Sequence, residues 1–289
     1  MIDFKILVLL FRFVRAAARK HPCLLPAALS LHLLLCMPSA AQSGNEKIAA
    51  GLWASREAAC TLPAEEQELL ATRLRQITGW KGLRFINGGE LATGDIFVTE
   101  GGSALARRVL LKALRSGRRF VIEDHSGSPL VNFGQLDQGT DYEDVKNHIR
   151  LIIWRVRLDF QDFREMQASP PVREAFDPGL TLLHELLHGL GYRDTKVVGE
   201  IGECEQIINR IRTELGLPLR HQYHGEIIRL SPHITSVRLR FNIPMQGDNE
   251  GRIRWKCRYL FFLLPSQPDS GVNTDKDTGN GESSGALVE

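Results

Sequence analysis

His184-Glu185-Leu186-Leu187-His188 is the stretch of this 289-residue chain whose residue types and spacing could do chemistry. At about 3.6 residues per helical turn, His184 and His188 stand one above the other on one face, so both imidazoles reach a single metal ion, and that donor pair suits Zn2+. Glu185 follows the first ligand directly. It falls to one side of the metal, where its carboxylate takes a proton from bound water instead of occupying a coordination position. Zinc lowers the pKa of such a water towards about 7. Glu185 then removes the proton, the hydroxide attacks a carbonyl, and the same carboxylate passes the proton to the leaving amine. Peptide hydrolysis is the reaction these parts imply.

Around the motif, Leu180, Leu182, Leu183, Leu186, Leu187 and Leu190 are apolar on nearly every side, which describes a helix buried in a core, with Asp177-Pro178-Gly179 as its start signal. Two histidines and a glutamate on such a surface need partners, because unpaired they cost several kcal/mol. A catalytic zinc also needs a third protein ligand. Asp194 is one answer: Gly191 breaks the helix and the carboxylate swings back, and the resulting spacing resembles the metzincin pattern with Asp in place of the third histidine. A glutamate on the following helix, as in gluzincins, is the other. Glu200, Glu203 and Glu205 are all near enough, and Glu205 with Asn209 resembles the gluzincin pairing of ligand and supporting residue. Met245, in Asn-Ile-Pro-Met-Gln-Gly, reads as structural and not as a methionine turn beneath the metal.

Downstream, Cys204, Ile207, Ile208, Ile211 and Leu215 recur at helical spacing, ended by Gly216 and Pro218. HELLH followed by Asn209, Ile211, Arg212, Glu214, Leu215, Gly216, Leu217, Pro218, Arg220 and Tyr223 resembles the effector-type zinc metallopeptidases of the NleD-like family and related toxin zincins. The resemblance covers about residues 175–225. That pattern commonly has Glu-Asn where this chain has Ile208-Asn209, and Glu-Glu where it has Arg193-Asp194, which places Asp194 where the family's ligand carboxylate falls. The resemblance implies a zincin: a Zn2+ peptidase with His184, His188 and Asp194 on the metal and Glu185 as base. Tyr223 is the candidate for polarising the scissile carbonyl, with His221 and His224 as neighbours that can do the same.

Elements must position these groups. Pro63–Thr78 and Ser103–Arg115 read as helices, and Leu83–Ile86, Ile96–Thr99, Phe120–Glu123, Leu130–Phe133 and Ile149–Phe160 as strands. His125 and His148 read as turn and surface histidines. Ser236–Ile243 and Arg252–Leu264 alternate as paired strands about a turn at Gln246–Gly251. The expected fold class is therefore α+β: a zincin-like domain with a mixed sheet packed on a buried HExxH helix, then a second helix and a C-terminal β-hairpin. An edge strand beside the metal holds an extended peptide by backbone pairing.

Five basic residues ahead of the apolar run Cys23–Met37, then Pro38-Ser39-Ala40-Ala41, read as a secretory signal over residues 1–41, with an uncleaved membrane anchor as the alternative. Residues 45–265 are the expected domain, and residues 266–289, poor in apolar groups, a disordered tail. With the signal removed no stable membrane span is expected, and the protein is exported, periplasmic or secreted. Its formal net charge then moves from +2 to −2, because residues 1–41 hold five basic groups and one acidic one. A near-neutral chain argues against nucleic acid as the main partner and leaves a peptide or protein substrate. Cys60, Cys204 and Cys257 allow at most one disulfide, whose pairing spacing does not decide. Two other functions fit the same motif, a zinc amidase acting on cell-wall peptides and an inactive zincin-fold binding protein.

Overall fold

The computed structural model describes residues 49–86, 88–96, 98–144, 148–231, 234–245 and 254–264. The expected signal, the turn at 246–251 and the tail lie outside the described residues. The fold is α+β, with one mixed five-stranded sheet, a second five-stranded sheet and a small hairpin, interspersed with helices. Among the described residues, no helix is long and apolar enough to cross a membrane.

In the first sheet, β1 (Gly51–Ala54), β4 (Arg119–Asp124) and β7 (Ile149–Leu158) run parallel, in that spatial order. Parallel neighbours need a long crossover. Between β1 and β4 the chain passes through α1 (Ala64–Thr78), the hairpin β2 (Arg84–Phe85) and β3 (Leu91–Ala92), and α2 (Ala104–Leu114). Gly79 ends α1 in the left-handed region, its N–H donating to Arg75, and Ser103 caps α2 by accepting from Ala106. β5 (Gly134–Leu136) and β6 (Thr140–Asp144) pair antiparallel with successive halves of β7. β5 is thereby an edge strand.

The sequence reading misplaces three strands. Leu130–Phe133 is turn, with Phe133 at φ 61°, outside extended backbone. Side chains take its donors: Asp162 accepts from the Phe133 N–H at 3.0 Å and Ser128 Oγ from the Leu130 N–H at 3.3 Å, so this segment bonds side chains in place of a strand. The strand expected over Ile149–Phe160 ends at Leu158 because Asp159 caps α3 (Phe160–Glu165), accepting from Asp162. Of Ile96–Thr99, Thr99 makes a single bridge to Trp80. β1 is too short to show alternation and was not anticipated.

α5 (Pro178–Gly189) is the centre of the molecule. Asp177 caps it, accepting from Leu180 N–H at 2.8 Å, and Pro178 opens it without wasting a donor. Leu180, Leu182, Leu183, Leu186 and Leu187 bury into the main core against residues of α1, α2, β4 and β7. Gly189 lets the helix approach the sheet, since a Cβ there would overlap the Phe120 ring. Gly134 does the same on the other side, where a Cβ would lie 2.6 Å from Thr181 Cγ2.

After β8 (Gln167–Ala168), α4 (Pro170–Ala175), α5 and α6 (Glu203–Glu214) comes the second, antiparallel sheet. Its order is β10 (Glu226–Ser231), β11 (Ile234–Met245), β12 (Arg254–Leu264) and β8, with β9 (Leu219–Arg220) also on β11. Its inner face, Val237, Leu239, Phe241 and Leu260, closes a second core with Phe133, Phe163 and Phe176. Phe133 makes edge-to-face contacts at 4.8–5.0 Å with Phe163, Phe176 and Phe262. Those three contacts hold it in its left-handed conformation.

Gly189→Ala is expected to lower stability by about 1–3 kcal/mol through overpacking on Phe120. The urea midpoint measures it. Burial pushes Asp177 up to about 6 from an ordinary 3.8, against hydrogen bonds from the helix start and the charges of Arg73 and Arg212. A raised carboxyl pKa means this contribution is fully favourable below pH 3.8 and is lost as pH rises through about 6. Asp177→Asn keeps the cap without the buried charge. Its melting temperature should match the parent near pH 4 and exceed it near pH 7.5, by the equivalent of about 1–3 kcal/mol; equal values at both pHs would refute this.

Candidate metal centre

The site is built where α5 ends. Leu190 and Gly191 close the last turn, Gly191 at φ 97°, and Tyr192 N–H donates to Leu187 O at 3.1 Å, which reverses the chain after one turn. Residues 192–202 then loop back over the helix end. Gly202, at the start of α6, sits so close to the Asp194 backbone that a side chain there would overlap it. Arg193 N–H donates to Glu203 Oε2 at 3.3 Å, and Cys204 N–H to Arg193 O at 3.4 Å.

Asp194 is thus folded against the two histidines. Its Oδ2 lies 3.1 Å from His184 Nε2 and 2.9 Å from His188 Nε2, and the two Nε2 atoms are 3.2 Å apart. Three donors of a tetrahedral zinc, each about 2.0–2.1 Å from the ion, stand about 3.3 Å apart, so this triangle fits a common cation to within a few tenths of an ångström. The donor chemistry agrees. Two ring nitrogens and a carboxylate oxygen converge, and Asp194 Oδ1 is buried without a hydrogen-bond partner among the described residues. Nitrogen and oxygen donors of this kind suit zinc.

The opposite nitrogens are held as well. His188 Nδ1 faces Tyr192 O at 3.3 Å and Cys204 Sγ at 3.6 Å. His184 Nδ1 faces Glu205 Oε2 at 3.7 Å, an electrostatic contact longer than a hydrogen bond. Burial pulls His188 down, yet Asp194 and Cys204 outweigh it and lift it to about 11. Burial likewise pushes Asp194 up, and the two histidines drag it far below the carboxylate range. Between the two imidazoles Asp194 is therefore ionised. Burial also raises the Cys204 thiol, against the pull of His188.

Glu185 is 6% exposed, lies against β5 at Gly134 and is not a corner of the triangle. Burial raises its pKa, the two histidines lower it, and the backbone N–H of Leu136 donates to it. Asp137 N–H pairs inward with Arg155 O at 2.9 Å, so by alternation Leu136 presents its backbone outward, to the site. Above them lies a cavity of about 650 Å3 lined by His184, Glu185, His188 and Tyr223 at one end and by Phe133, Phe176 and Phe262 at the other.

Tyr223 stacks on His184, centroids 5.9 Å apart at 7°. Burial and the Asp194 charge raise its pKa, so the phenol keeps its proton at neutral pH. His224 also lines the cavity, its Nε2 3.1 Å from Thr195 O. His221 turns elsewhere, with Nδ1 3.1 Å from Asn242 Nδ2.

The three glutamates considered as ligands go to other partners. Glu200 meets Thr195 Oγ1 at 3.5 Å and Glu203 caps Arg193. Glu205, 1% exposed, takes Arg212 Nη1 and Arg220 Nη1, the latter at 3.2 Å. Burial alone would raise it, but the two guanidiniums hold it at about 2. Asn209 completes this group, accepting from Arg212 Nη1 at 2.9 Å and Arg220 N–H at 2.9 Å. The sequence reading missed Cys204 behind His188 and Leu136 behind Glu185. Cys204 had a signal, being the one thiol at a helix start within 20 residues of the motif; a backbone donor has none. Cys60, Cys204 and Cys257 are all free thiols. Exposed Met245 closes the end of β11. His125 bonds Glu123 at 3.0 Å and His148 is exposed.

No protein-family model, curated protein or solved structure matches the chain.

Asp194→Ala and Glu205→Ala should separate cleanly. The Glu205 variant leaves two buried arginines without their carboxylate and should lose about 3–5 kcal/mol in chemical denaturation. The Asp194 variant, which removes one corner of the triangle, should retain its fold. Equal stability losses would contradict the different roles assigned to the two carboxylates.

Proposed function

We propose that the protein is a zinc-dependent metallopeptidase of zincin type. The observation that carries this reading is the triangle of His184 Nε2, His188 Nε2 and Asp194 Oδ2, with edges of 2.9–3.2 Å, beside a buried carboxylate that is not part of it. His184, His188 and Asp194 would hold the ion. When bound, Zn2+ supplies Lewis acidity, polarising a carbonyl and acidifying water.

The chain's own groups do the rest. Glu185, raised by burial and oriented by Leu136 N–H, takes a proton from the attacking water and delivers it to the leaving amine. Tyr223, kept protonated, donates its O–H toward the oxygen that gains charge at the reacting carbonyl. The Glu205 carboxylate, 3.7 Å from the outer nitrogen of His184, favours electrostatically the tautomer with its proton on that side, which leaves the inner nitrogen's lone pair for the ion. Edge strand β5 runs along the cavity, which suits an extended peptide better than a compact substrate. The apolar wall of Phe133, Phe176, Leu180, Val237, Leu239 and Phe262 suits a large apolar side chain next to the scissile bond.

The test is elemental analysis joined to hydrolysis of a mixed-sequence peptide library. The unmodified protein should carry about one zinc per chain and cleave after reconstitution. His188→Ala should lose the zinc, while Glu185→Gln should keep it and lose about 10²–10⁴-fold in rate. An unmodified chain that binds no zinc sinks the reading, as does a Glu185→Gln variant with unchanged cleavage.

A further inference from the structure

The triangle stands between two cavities that differ in chemistry. His184 lines the larger, of about 650 Å3, and Asp194 lines a second of about 330 Å3, while His188, Tyr223 and His224 line both. A bond held at the triangle therefore sends one side of its substrate into each. The larger cavity has the aromatic and aliphatic wall, and its two guanidiniums, Arg212 and Arg220, are already taken by Glu205. The smaller carries Arg193 and Lys196, with no Val, Leu, Ile or Phe among the described residues that line it.

Backbone contacts hold the smaller cavity in shape. Tyr223 N–H donates to Glu200 O at 3.0 Å and His224 Nε2 lies 3.1 Å from Thr195 O, which ties the loop after α5 to the segment ahead of β10. Arg193 is pinned as well, its N–H donating to Glu203 Oε2 at 3.3 Å and its carbonyl accepting from Cys204 N–H at 3.4 Å. Its guanidinium is exposed and makes no hydrogen bond or ion pair among the described residues. The carboxylates of this loop are turned elsewhere: Asp194 to the two histidines, Glu200 to Thr195 Oγ1 and Glu203 to the Arg193 N–H. A fixed backbone that presents an unpaired guanidinium beside the reacting bond recognises an anion at little ordering cost. In an unmodified peptide the anions are carboxylates, either an Asp or Glu side chain or the C-terminus.

We infer that the smaller cavity is a carboxylate subsite, with Arg193 as its recognition residue and Lys196 as a second cation in the same wall. This rests on the peptidase reading and narrows it. The substrate is a peptide with an apolar residue on one side of the scissile bond and a carboxylate on the other. Arg193 sets which bond is presented and takes no part in breaking it.

The test is selection by binding, with the full-length Glu185→Gln chain immobilised so that peptides are held and not cut. The probes are two mixed-sequence hexapeptide libraries, one with free and one with amidated C-termini, and bound peptides are eluted and sequenced. In the amidated library Asp and Glu should be enriched about three- to tenfold over Asn and Gln at one position, at a fixed distance from a preferred apolar residue. Where the C-terminus is the anion, the free-acid library should instead be retained about three- to tenfold more strongly than the amidated one. Arg193→Gln should abolish whichever preference is seen, and Arg193→Glu should replace it with a preference for Lys and Arg, while the apolar preference and the zinc content stay as they were. A purely structural Arg193 would not reverse the charge preference. A carboxylate preference that is absent, or that survives in Arg193→Gln, overturns this inference, and apolar peptides retained by the same zinc-loaded chain would leave the peptidase reading standing. A chain that holds neither zinc nor peptide overturns both.

Discussion

Polar groups set into an apolar helix are the constraint on which the rest of the molecule turns. α5 is leucine on nearly every face and sits in the core, yet it carries His184, Glu185 and His188 inward. In such surroundings an unpartnered imidazole or carboxylate costs several kcal/mol. Each has therefore drawn a partner from a different element: Asp194 from the loop after the helix, Glu205 and Cys204 from α6, Leu136 from β5. The loop reversal at Gly191, the close seat of Gly202 and the tight passage of β5 over α5 at Gly134 are the backbone conditions for those contacts.

Charge compensation continues outward. Glu205 is paid for by two arginines, and Asn209 ties both to the helix that bears the glutamate. Arg212 also donates to Ala175 O at 2.8 Å, and Arg220 lies 5.6 Å over Phe176, so the polar group that backs His184 is anchored in the second core. Through these residues the second sheet is mechanically part of the site, although it contributes few atoms to the triangle's surroundings. A helix end alone would leave Asp194 and Tyr223 without fixed positions.

The division between legible and hidden features follows the range of the forces involved. Helices at Ala64–Thr78, Ala104–Leu114 and Glu203–Glu214 announce themselves through periodicity and local caps, as do the long paired strands Ile234–Met245 and Arg254–Leu264 through alternation. Leu130–Phe133 misled because its apolar residues resemble a strand, while Asp162, 29 residues away, captures the Phe133 N–H. Gly51–Ala54 was hidden because four buried residues carry no period.

At the site, sequence by itself determined that His184 and His188 share a helical face and that Glu185 stands beside them, because 3.6-residue geometry is local and holds wherever the helix goes. It narrowed the accompanying carboxylate to Asp194, Glu200, Glu203 and Glu205, with Asp194 preferred. Tertiary structure made the choice of neighbours: Asp194 lies within 3.1 Å of both ring nitrogens, while Glu205 turns to Arg212 and Arg220. The reason is that a buried carboxylate goes to whichever cations the fold brings nearest, and the positions of Arg212 and Arg220 relative to α5 depend on how α6 and β9 pack, which no local spacing encodes.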